Sequence, residues 1–247
     1  MIDGKRIYGE KASIGAKEVQ DFFNKRAAAA TPEDIGIVLQ GNPDPQFQNE
    51  RNAYERDYIL PMLNIGAETR VLDIGCGIGR WAGFILPDCR FYCGVDFSPE
   101  MIRIAKQVCR DRGGDSALYC MPAAEVISRD ADFYGGRFEI VIANQVLMYI
   151  NDADAARLFR QLPKLLAEHC TVYLAEPVGL QERLTLDNYP SEALQTKYSA
   201  IYRTTEEYTE LYAPLFDEGF SVMKQDFFPS MGDHYSDTGR HYFILKR

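Results

Sequence analysis

Several features that would place a protein in a membrane or on nucleic acid are missing from this sequence of 247 residues. It has no uninterrupted apolar run of about eighteen residues, which a membrane-spanning helix needs, and its first residues lack the apolar core of a signal peptide. Acidic residues outnumber basic residues by 36 to 27, so the net charge of −9 offers no basic face to a phosphate backbone. We therefore expect no membrane partner and no nucleic-acid partner.

Cysteine and histidine are too few or too scattered for several kinds of chemistry. Six cysteines at irregular spacing are typical of a reduced, cytoplasmic protein rather than of a disulfide framework. No Cys-x-x-x-Cys-x-x-Cys run is present, which argues against radical chemistry at an iron–sulfur cluster, and no ligand spacing predicts a metal site. The chain has only three histidines, so few side chains are available as general bases.

The most informative segment is residues 71–79, which read Val-Leu-Asp-Ile-Gly-Cys-Gly-Ile-Gly. Its apolar start predicts a short buried strand, with Asp73 near the end. Three glycines follow at alternate positions, Gly75, Gly77 and Gly79. Glycine can adopt a positive φ and lets a ligand approach the backbone closely. Residues 80–86 then have the apolar spacing of a helix, so the loop opens onto a helix N-terminus, where nucleotide-like ligands bind in open α/β sheets.

A second strand and turn follow this loop. Residues 91–95 predict the strand, and Asp96 lies at its end. Ser98 and Pro99 are suited to the cap and the first position of the next helix. Because Ser98 fills the capping role, the carboxylate of Asp96 is left to accept hydrogen bonds from two vicinal hydroxyls, as in a ribose. The alternative is that Asp96 itself caps the helix.

These segments resemble the class I S-adenosylmethionine-dependent methyltransferases. Residues 73–79 look like the glycine motif of that family, and residues 94–98, Gly-Val-Asp-Phe-Ser, look like its ribose-binding motif. The resemblance runs from about residue 59 to residue 247, although only its first half has specific motifs. It implies S-adenosylmethionine as the cofactor and an α/β fold, namely a doubly wound, Rossmann-like, seven-stranded and mostly parallel sheet with an antiparallel last strand.

The chain is predicted to divide into two parts. Residues 1–58 predict an N-terminal helical lid or cap, with an amphipathic helix over residues 14–30. In the resembling family, helices of this kind fold over the cofactor. Residues 59–247 predict the methyltransferase domain, in which the tyrosine-rich segment near 179–205 is an insertion that caps the acceptor.

The resemblance also implies which residues contact the donor. They are Asp73, Gly75, Cys76, Gly77, Gly79, Asp96, Phe97, Met101, Ala124, Glu125 and Asn144. Cys76 is interpreted as a small spacer in the loop rather than as a nucleophile. Phe97 and Met101 are expected to line the adenine pocket, with ordinary packing as the alternative. Glu125 could instead occupy the first turn of a helix, where the helix dipole favours a carboxylate.

A nicotinamide-dependent oxidoreductase is the main rival hypothesis, because Gly77-x-Gly79-x-x-Ala82 fits the G-x-G-x-x-G/A pattern of a pyrophosphate-binding loop. Asp73 favours S-adenosylmethionine, which has no phosphate but carries an amino group and a sulfonium that a carboxylate suits. The only Tyr-x-x-x-Lys, from Tyr242 to Lys246, lies in a strand pattern rather than on a helix, which weakens the rival. A third hypothesis is a cofactor-binding protein that has lost catalysis.

The chain reads Asn-Gln-Val-Leu-Met-Tyr over residues 144–149, after the predicted fourth strand. Enzymes that methylate adenine or amide nitrogens have an Asn-Pro-Pro-Tyr or Asp-Pro-Pro-Tyr turn there, which this chain lacks, and the paired-glutamate loop of protein arginine methyltransferases is also missing. We therefore predict metal-independent methyl transfer to an oxygen or nitrogen of a small molecule, such as a secondary metabolite or a carbohydrate. A homo-oligomer is compatible with the sequence.

The acceptor is expected beside the donor, at the ends of the later strands. The predicted acceptor-binding residues are Tyr149, Tyr198, Tyr202 and Arg203. Packing is the alternative for the tyrosines, and exposure to solvent is the alternative for the arginine. His234, in the predicted last turn, is the first candidate for a general base, followed by Glu176 and His241. A base is not obligatory, because positioning can lower the barrier by about 7–11 kcal/mol, more than the roughly 3–5 kcal/mol from a base.

Overall fold

Short apolar segments alternate with helices along this chain, and the strands among them form two sheets. The computed structural model describes residues 4–28, 30–34, 36, 38, 45–191, 196–229 and 236–247. The strands, in chain order, are β1 (Lys5–Tyr8), β2 (Arg70–Ile74), β3 (Phe91–Asp96), β4 (Ser116–Cys120), β5 (Phe138–Asn144), β6 (Leu166–Gly179), β7 (Leu184–Ser191), β8 (Thr196–Tyr202), β9 (Ser221–Phe227) and β10 (Thr238–Lys246). A large sheet takes seven of them in the order β4-β3-β2-β5-β6-β10-β9, and a small sheet has the order β1-β7-β8.

Helices connect most of these strands. The α-helices are α1 (Ala16–Ala27), α2 (Pro45–Tyr54), α3 (Leu60–Leu63), α4 (Ala82–Ile85), α5 (Pro99–Arg112), α6 (Asp152–Gln161), α7 (Thr205–Tyr212) and α8 (Pro214–Asp217). A π-helical turn, Glu55–Ile59, joins α2 to α3. The three form one helical segment that precedes β2, the first strand of the large sheet. Short 3-10 helices occupy Ala123–Ser128, Leu147–Tyr149 and Leu162–Leu165.

The large sheet has the topology that the sequence predicts. Strands β4, β3, β2, β5 and β6 pair in parallel, and the last strand, β10, is antiparallel to both β6 and β9. The strand order reverses between β2 and β5, because β3 and β4 lie on one side and the later strands on the other. The doubly wound, Rossmann-like α/β fold is therefore confirmed, and its switch point lies between β2 and β5.

Both faces of the large sheet are covered, which explains why its strands are apolar at consecutive positions. On one face, Leu72 belongs to a buried cluster with Leu158 of α6. On the other face, Val71 belongs to a cluster with Ile59 and Trp81. Burial of each large apolar side chain stabilises the fold by about 1.5–3 kcal/mol, so both layers are needed to hold the strand ends in place.

The small sheet joins the N-terminal segment to the insertion. Strand β1 pairs with β7, with Lys5 opposite Asp187, and β7 in turn pairs with β8. Phe22 of α1 packs against Tyr198 of β8 at 5.5 Å between ring centroids. The N-terminal segment thus contributes a strand as well as helices, and its apolar side rests on the insertion.

Arg203 follows β8 and is buried, with 1% of its surface exposed. Its guanidinium donates to the carbonyl oxygens of Leu147 and Ile150 at 2.7 and 2.6 Å, and it pairs with Asp152 at 2.7 Å. These contacts tie the insertion to the loop after β5. The prediction that Arg203 binds an anionic acceptor group is corrected, as is the alternative of a solvated arginine, because its donors are used within the fold.

We expect Arg203→Met to lower the free energy of unfolding by about 3–5 kcal/mol, because it leaves two carbonyl groups and the Asp152 carboxylate without their donor. Urea denaturation measures the difference. Arg157→Met, which removes an exposed ion pair with Asp154, is the control and should change stability by less than about 0.5 kcal/mol. Equal stability of the two variants would contradict the role assigned to Arg203.

Candidate active site

The loop after β2 turns on three glycines with positive φ, Gly75 (74°), Gly77 (55°) and Gly79 (81°). This conformation strains most other residues. The N–H of Gly75 donates to the carbonyl oxygen of Val95 at 2.7 Å, which ties the loop to the neighbouring strand β3. A Cβ atom on Gly79 would lie 3.2 Å from the backbone of Ala105, so this glycine lets α5 pack closely against the loop.

Cys76 occupies the middle of the same loop as a small buried side chain. Burial raises the pKa of its thiol well above the ordinary value, and the nearby Asp73 and Asp96 carboxylates add to the shift. A neutral, buried thiol is a poor nucleophile. The interpretation of Cys76 as a spacer agrees with this environment.

Asp96 ends β3 and faces the glycine loop. Its carboxylate accepts hydrogen bonds from the N–H groups of Gly77 at 3.0 Å and Ser98 at 2.8 Å. Burial raises the pKa of Asp96 to about 6, although the backbone N–H groups oppose the shift. The Ser98 hydroxyl caps α5 by accepting from the N–H of Met101 at 3.2 Å. A carboxylate has about four acceptor positions, so Asp96 can still accept from the hydroxyl groups of a ligand.

A cavity opens at the carboxyl ends of β2, β3 and β5, beside the switch point. The predicted residues that line it are Gly75, Gly77, Asp96, Phe97, Met101, Ala124, Asn144 and Tyr149. Phe97 and Met101 give it apolar surface next to the carboxylate of Asp96. The structure thus brings together the glycine loop, the end of the second parallel strand and the loop after β5.

The N-terminal segment covers the cavity from the side opposite the sheet. Its lining residues there are Ala16, Phe23 and Val38. Asn151, after β5, also lines the cavity, and its amide exchanges hydrogen bonds of 2.9 and 3.0 Å with the backbone of Ile14. Sequence reasoning missed these residues, because apolar helix positions and an isolated asparagine carry no local signal of a binding role.

Gln145 is a further lining residue that the sequence did not indicate. It follows Asn144 directly and has a φ of 56°, which is unusual for a residue other than glycine. Its N–H donates to the carbonyl oxygen of Ala175 at 2.8 Å, so the turn out of β5 is held by the neighbouring strand. Strained backbone of this kind clusters at binding sites, although no sequence pattern announced it.

Four predicted donor contacts, Asp73, Cys76, Gly79 and Glu125, are not among the residues that line the described cavity. Asp73 is buried, accepts a hydrogen bond of 2.6 Å from the hydroxyl of Tyr92 and does not line the cavity. Burial raises the pKa of Asp73 to about 7, against the opposing effects of Tyr92 and Arg80. Glu125 is exposed in the first turn of the 3-10 helix Ala123–Ser128. Glu125 therefore lies where the alternative interpretation, a position in the first turn of a helix, would put it.

Asn144 connects the cavity to a buried group of charges on the adjacent face of the sheet. Its side-chain amide donates to Glu55 at 2.6 Å. Glu55 is fully buried and also pairs with Arg80 and, at 3.9 Å, with Arg51. Burial alone would raise the pKa of Glu55, but the two arginines outweigh it and hold that pKa below its ordinary value.

Glu176 ends the parallel part of β6 and supports the loop after β5. Its carboxylate accepts from the N–H groups of Val146 and Leu147, both at 2.9 Å, and of Met148 at 3.2 Å. Burial raises the pKa of Glu176 to about 7, and the three N–H groups act against that shift. Glu176 is not among the residues that line the described cavity, and three of its acceptor positions are used in shaping this loop, so its role as a general base stays a prediction.

His241 lies on β10 and is also withdrawn from the cavity. Its ring packs 4.8 Å from Phe227 and 4.4 Å from Phe243, and burial lowers its pKa to about 4. It is not among the cavity-lining residues, so its predicted role as a base is corrected. His234, the first candidate, lies outside the described residues, and its role stays a prediction.

Of the three predicted acceptor tyrosines, Tyr149 lines the described cavity. Its hydroxyl shares a hydrogen bond of 2.8 Å with the hydroxyl of Tyr198, and Phe23 packs against its ring at 5.0 Å. Burial raises the pKa of Tyr149 far above the ordinary value, so it stays protonated. Tyr198 and the half-buried Tyr202 belong to the apolar cluster behind it, where they support the wall from the insertion.

The polar side chains that line the cavity are Asp96, Asn144, Gln145, Tyr149, Asn151 and Asp154. No group of three or more His, Cys, Asp or Glu side chains in the described ranges could hold a metal ion. Among the helices that the structure describes, none is long and apolar enough to cross a membrane.

Part of this chain, including residues around the cavity, is similar in sequence to known proteins. Residues 71–169 match a family model described as a methyltransferase domain. Phosphoethanolamine N-methyltransferase 1 of Triticum aestivum is 27% identical over 122 residues, which cover 49% of this chain and 24% of that protein. The chain thus spans about a quarter of the length of this curated relative.

Solved structures of low sequence identity share the fold. Phosphoethanolamine N-methyltransferase 1 of Haemonchus contortus, solved with phosphoethanolamine and S-adenosylhomocysteine, has a TM-score of 0.69 at 18% identity, covering 94% of this chain and 48% of that one. The [4+2]-cyclase SpnF has a TM-score of 0.65 at 14% identity, covering 96% and 97% of the two chains. The differing names of these proteins illustrate that a shared fold does not fix the reaction.

We expect Asp96→Asn to weaken binding of S-adenosylhomocysteine by about 10- to 150-fold, because hydrogen bonds to a charged group are worth about 1.5–3 kcal/mol. Calorimetric titration measures the dissociation constant. Asp111→Asn, on the exposed side of α5, is the control and should bind as the wild type does. Wild-type affinity in the Asp96 variant would contradict the assignment of this carboxylate to the ligand.

We expect Asp73→Asn to gain stability relative to the wild type as the pH rises from 5 to 8. Burial raises the pKa of Asp73 to about 7, above the roughly 3.9 of an unfolded chain, so its favourable contribution is present at low pH and lost as the pH passes 7. Asparagine mimics the neutral acid and does not ionise. Thermal unfolding at each pH should show a relative gain of roughly 1–4 kcal/mol, and a constant difference across the range would contradict it. Asp111→Asn again serves as the control.

Proposed function

We propose that this chain, which belongs to the class I S-adenosylmethionine-dependent methyltransferases, transfers a methyl group from S-adenosylmethionine to an oxygen or nitrogen atom of a small molecule. The observation that carries the proposal is the cavity at the switch point of the sheet, where the backbone of Gly77 meets the carboxylate of Asp96. Open α/β sheets bind their ligands at this position.

The cavity fits the donor in shape and in chemistry. A Cβ atom on Gly75 would lie 2.5 Å from the side chain of Val146, and one on Gly77 would lie 2.7 Å from Val38, so the cradle requires glycine. Asp96 offers acceptor positions to ribose hydroxyls, and the neighbouring Phe97 suits a flat base. When bound, S-adenosylmethionine supplies a methyl group on a positively charged sulfur, which an acceptor lone pair can displace in line.

The chain's own residues contribute positioning and exclusion of water. Asn144 and Tyr149 lie at the side of the cavity nearest the later strands, where an acceptor would approach. Phe23 and Val38 cover the opposite side and limit the access of water. Since Glu176 is held by backbone N–H groups, we assign the larger part of the rate enhancement to orientation, which can supply about 7–11 kcal/mol.

A small acceptor agrees with the surface charge and with the relatives. The net charge of −9 does not suit a nucleic-acid substrate, and the lid over the cavity leaves room for a compact ligand rather than a folded protein. The Triticum aestivum relative is named for an amine that bears a phosphate. Amines are therefore the first acceptors to test, followed by hydroxylated metabolites and sugars.

The proposal is tested by calorimetric titration with S-adenosylhomocysteine and, separately, with NADH, followed by turnover assays with a panel of acceptors. We expect micromolar binding of S-adenosylhomocysteine and none of NADH. Binding of NADH alone would overturn the proposal in favour of an oxidoreductase with the glycine frame that begins at Gly77. Donor binding without turnover across amines, alcohols and sugars would overturn the enzymatic part and favour a binding protein.

We expect Tyr149→Phe to raise the KM for the acceptor by about 2- to 10-fold, because it removes one hydrogen-bonding group worth about 0.5–1.5 kcal/mol from the cavity wall. Steady-state kinetics with the first active acceptor measures the effect. Tyr119→Phe is the matched control, since Tyr119 packs against Phe133 away from the cavity and should leave KM unchanged. Equal KM values for both variants would exclude Tyr149 from acceptor binding.

A further inference from the structure

Two buried arginines lie on elements far apart in the sequence, and one of them, Arg51, contacts Asn144 of the cavity wall. Arg51 belongs to α2 and has 1% of its surface exposed, and Arg240 belongs to β10 and has 9% exposed. Phe228 brings them together, because the guanidinium of Arg51 lies 6.0 Å from its ring centre and that of Arg240 lies 5.7 Å from it. The ring centre of Phe47 lies 4.8 Å from the Arg240 guanidinium.

The charge of Arg51 is poorly balanced. Its contact with Glu55 is long, at 3.9 Å, and its hydrogen bond to Asn144 is also long, at 3.4 Å. Its Nε and Nη1 groups have no hydrogen-bond partner among the described residues. Leaving buried N–H groups of a cation unmatched is costly, so the arrangement points to an anion that the described residues do not supply.

The neighbouring charges increase this imbalance. Glu55 is shared, because Arg80 also pairs with it and the Asn144 amide donates to it. Burial, together with the nearby Arg240 and Arg80, lowers the pKa of Arg51 to about 9 against the opposing effect of Glu55. One carboxylate, Glu55, thus serves both Arg80 and Arg51.

The location of the two arginines fits an acceptor rather than the nucleoside. Asn144 lines the cavity and contacts Arg51 directly. Arg240 lies opposite Pro177 at the carboxyl end of β6. Asp96, whose carboxylate is assigned to the ribose hydroxyls, lies instead at the end of β3, two strands away from β5 in the sheet. An anion at Arg51 would therefore sit beside Asn144, on the acceptor side of the described cavity.

We propose that Arg51 and Arg240 bind an anionic oxygen group, a carboxylate or a phosphate, of the methyl acceptor. The inference rests on the proposed function and narrows it to acceptors that carry such a group. A guanidinium presents its N–H groups as a planar fork that matches both anions. The two rings of Phe47 and Phe228 hold the guanidinium groups in orientation and restrict their solvation.

The test titrates inorganic phosphate, and separately acetate, into protein saturated with S-adenosylhomocysteine, at constant ionic strength. We expect saturable binding of at least one anion to the wild type, detected by calorimetry and by a rise in Tm. Arg51→Gln and Arg240→Gln should each weaken it by more than tenfold. Arg103→Gln, which alters an exposed arginine of α5, should bind as the wild type does. Absence of binding of both anions to the wild type would overturn the proposal.

Further arms separate this proposal from the donor site and from a structural role. Each variant is titrated with S-adenosylhomocysteine alone, and retained affinity shows that the proposed function stands even if anion binding fails. A further titration asks whether the anion competes with S-adenosylhomocysteine or with 5′-methylthioadenosine, which lacks the amino-acid carboxylate. If the anion competes with the first compound and not with the second, the arginines bind the donor's own carboxylate, and the acceptor assignment is overturned. Should Arg51→Gln fail to fold, Arg51→Lys keeps the charge but loses the fork, and we expect it to weaken anion binding. Wild-type anion affinity in Arg51→Lys and Arg240→Gln would contradict the site.

Discussion

The buried carboxylate of Glu55 holds the N-terminal helical segment against the carboxyl end of the central sheet. Moving a carboxylate out of water costs several kcal/mol, and here that cost is offset by Arg80, by the amide of Asn144 and by the hydroxyl of Tyr173 at 3.3 Å. Arg80 directly follows the glycine loop, Asn144 ends β5 and Tyr173 lies on β6. One side chain in a π-helical turn therefore fixes where α2 lies, and with it the position of Arg51.

A second set of buried polar contacts shapes the loop after β5, which forms one wall of the cavity. Glu176 accepts three N–H groups from residues 146–148, and Arg203 donates to two carbonyl oxygens of the same loop. Both donors and acceptors of an irregular segment are thus satisfied by side chains, as buried backbone requires. Glu176 and Arg203 therefore act as supports for this wall, on which Asn144 and Tyr149 line the cavity.

The sequence predicted the parts of the fold and site that depend on local pattern. The glycine loop, Asp96 and the Ser98 cap all lie within about thirty residues, and strand and turn chemistry determine them directly. It could not assign Glu176, Arg203 or His241, because their partners lie on other elements, and the same residue type serves equally well in catalysis and in packing. The buried pair of Arg51 and Arg240 was equally hidden, since only the tertiary fold brings α2 and β10 together.

The small sheet has a consequence for the order in which the site is built during synthesis. The partner of β1 is β7, more than half the chain away, and β7 pairs in turn with β8. A ribosome releases the N-terminal strand long before that partner, and pairings this distant form late. The glycine loop and the strands around it can assemble first. The roof over the cavity closes only after the insertion has emerged, so an incompletely made chain would present an open cleft.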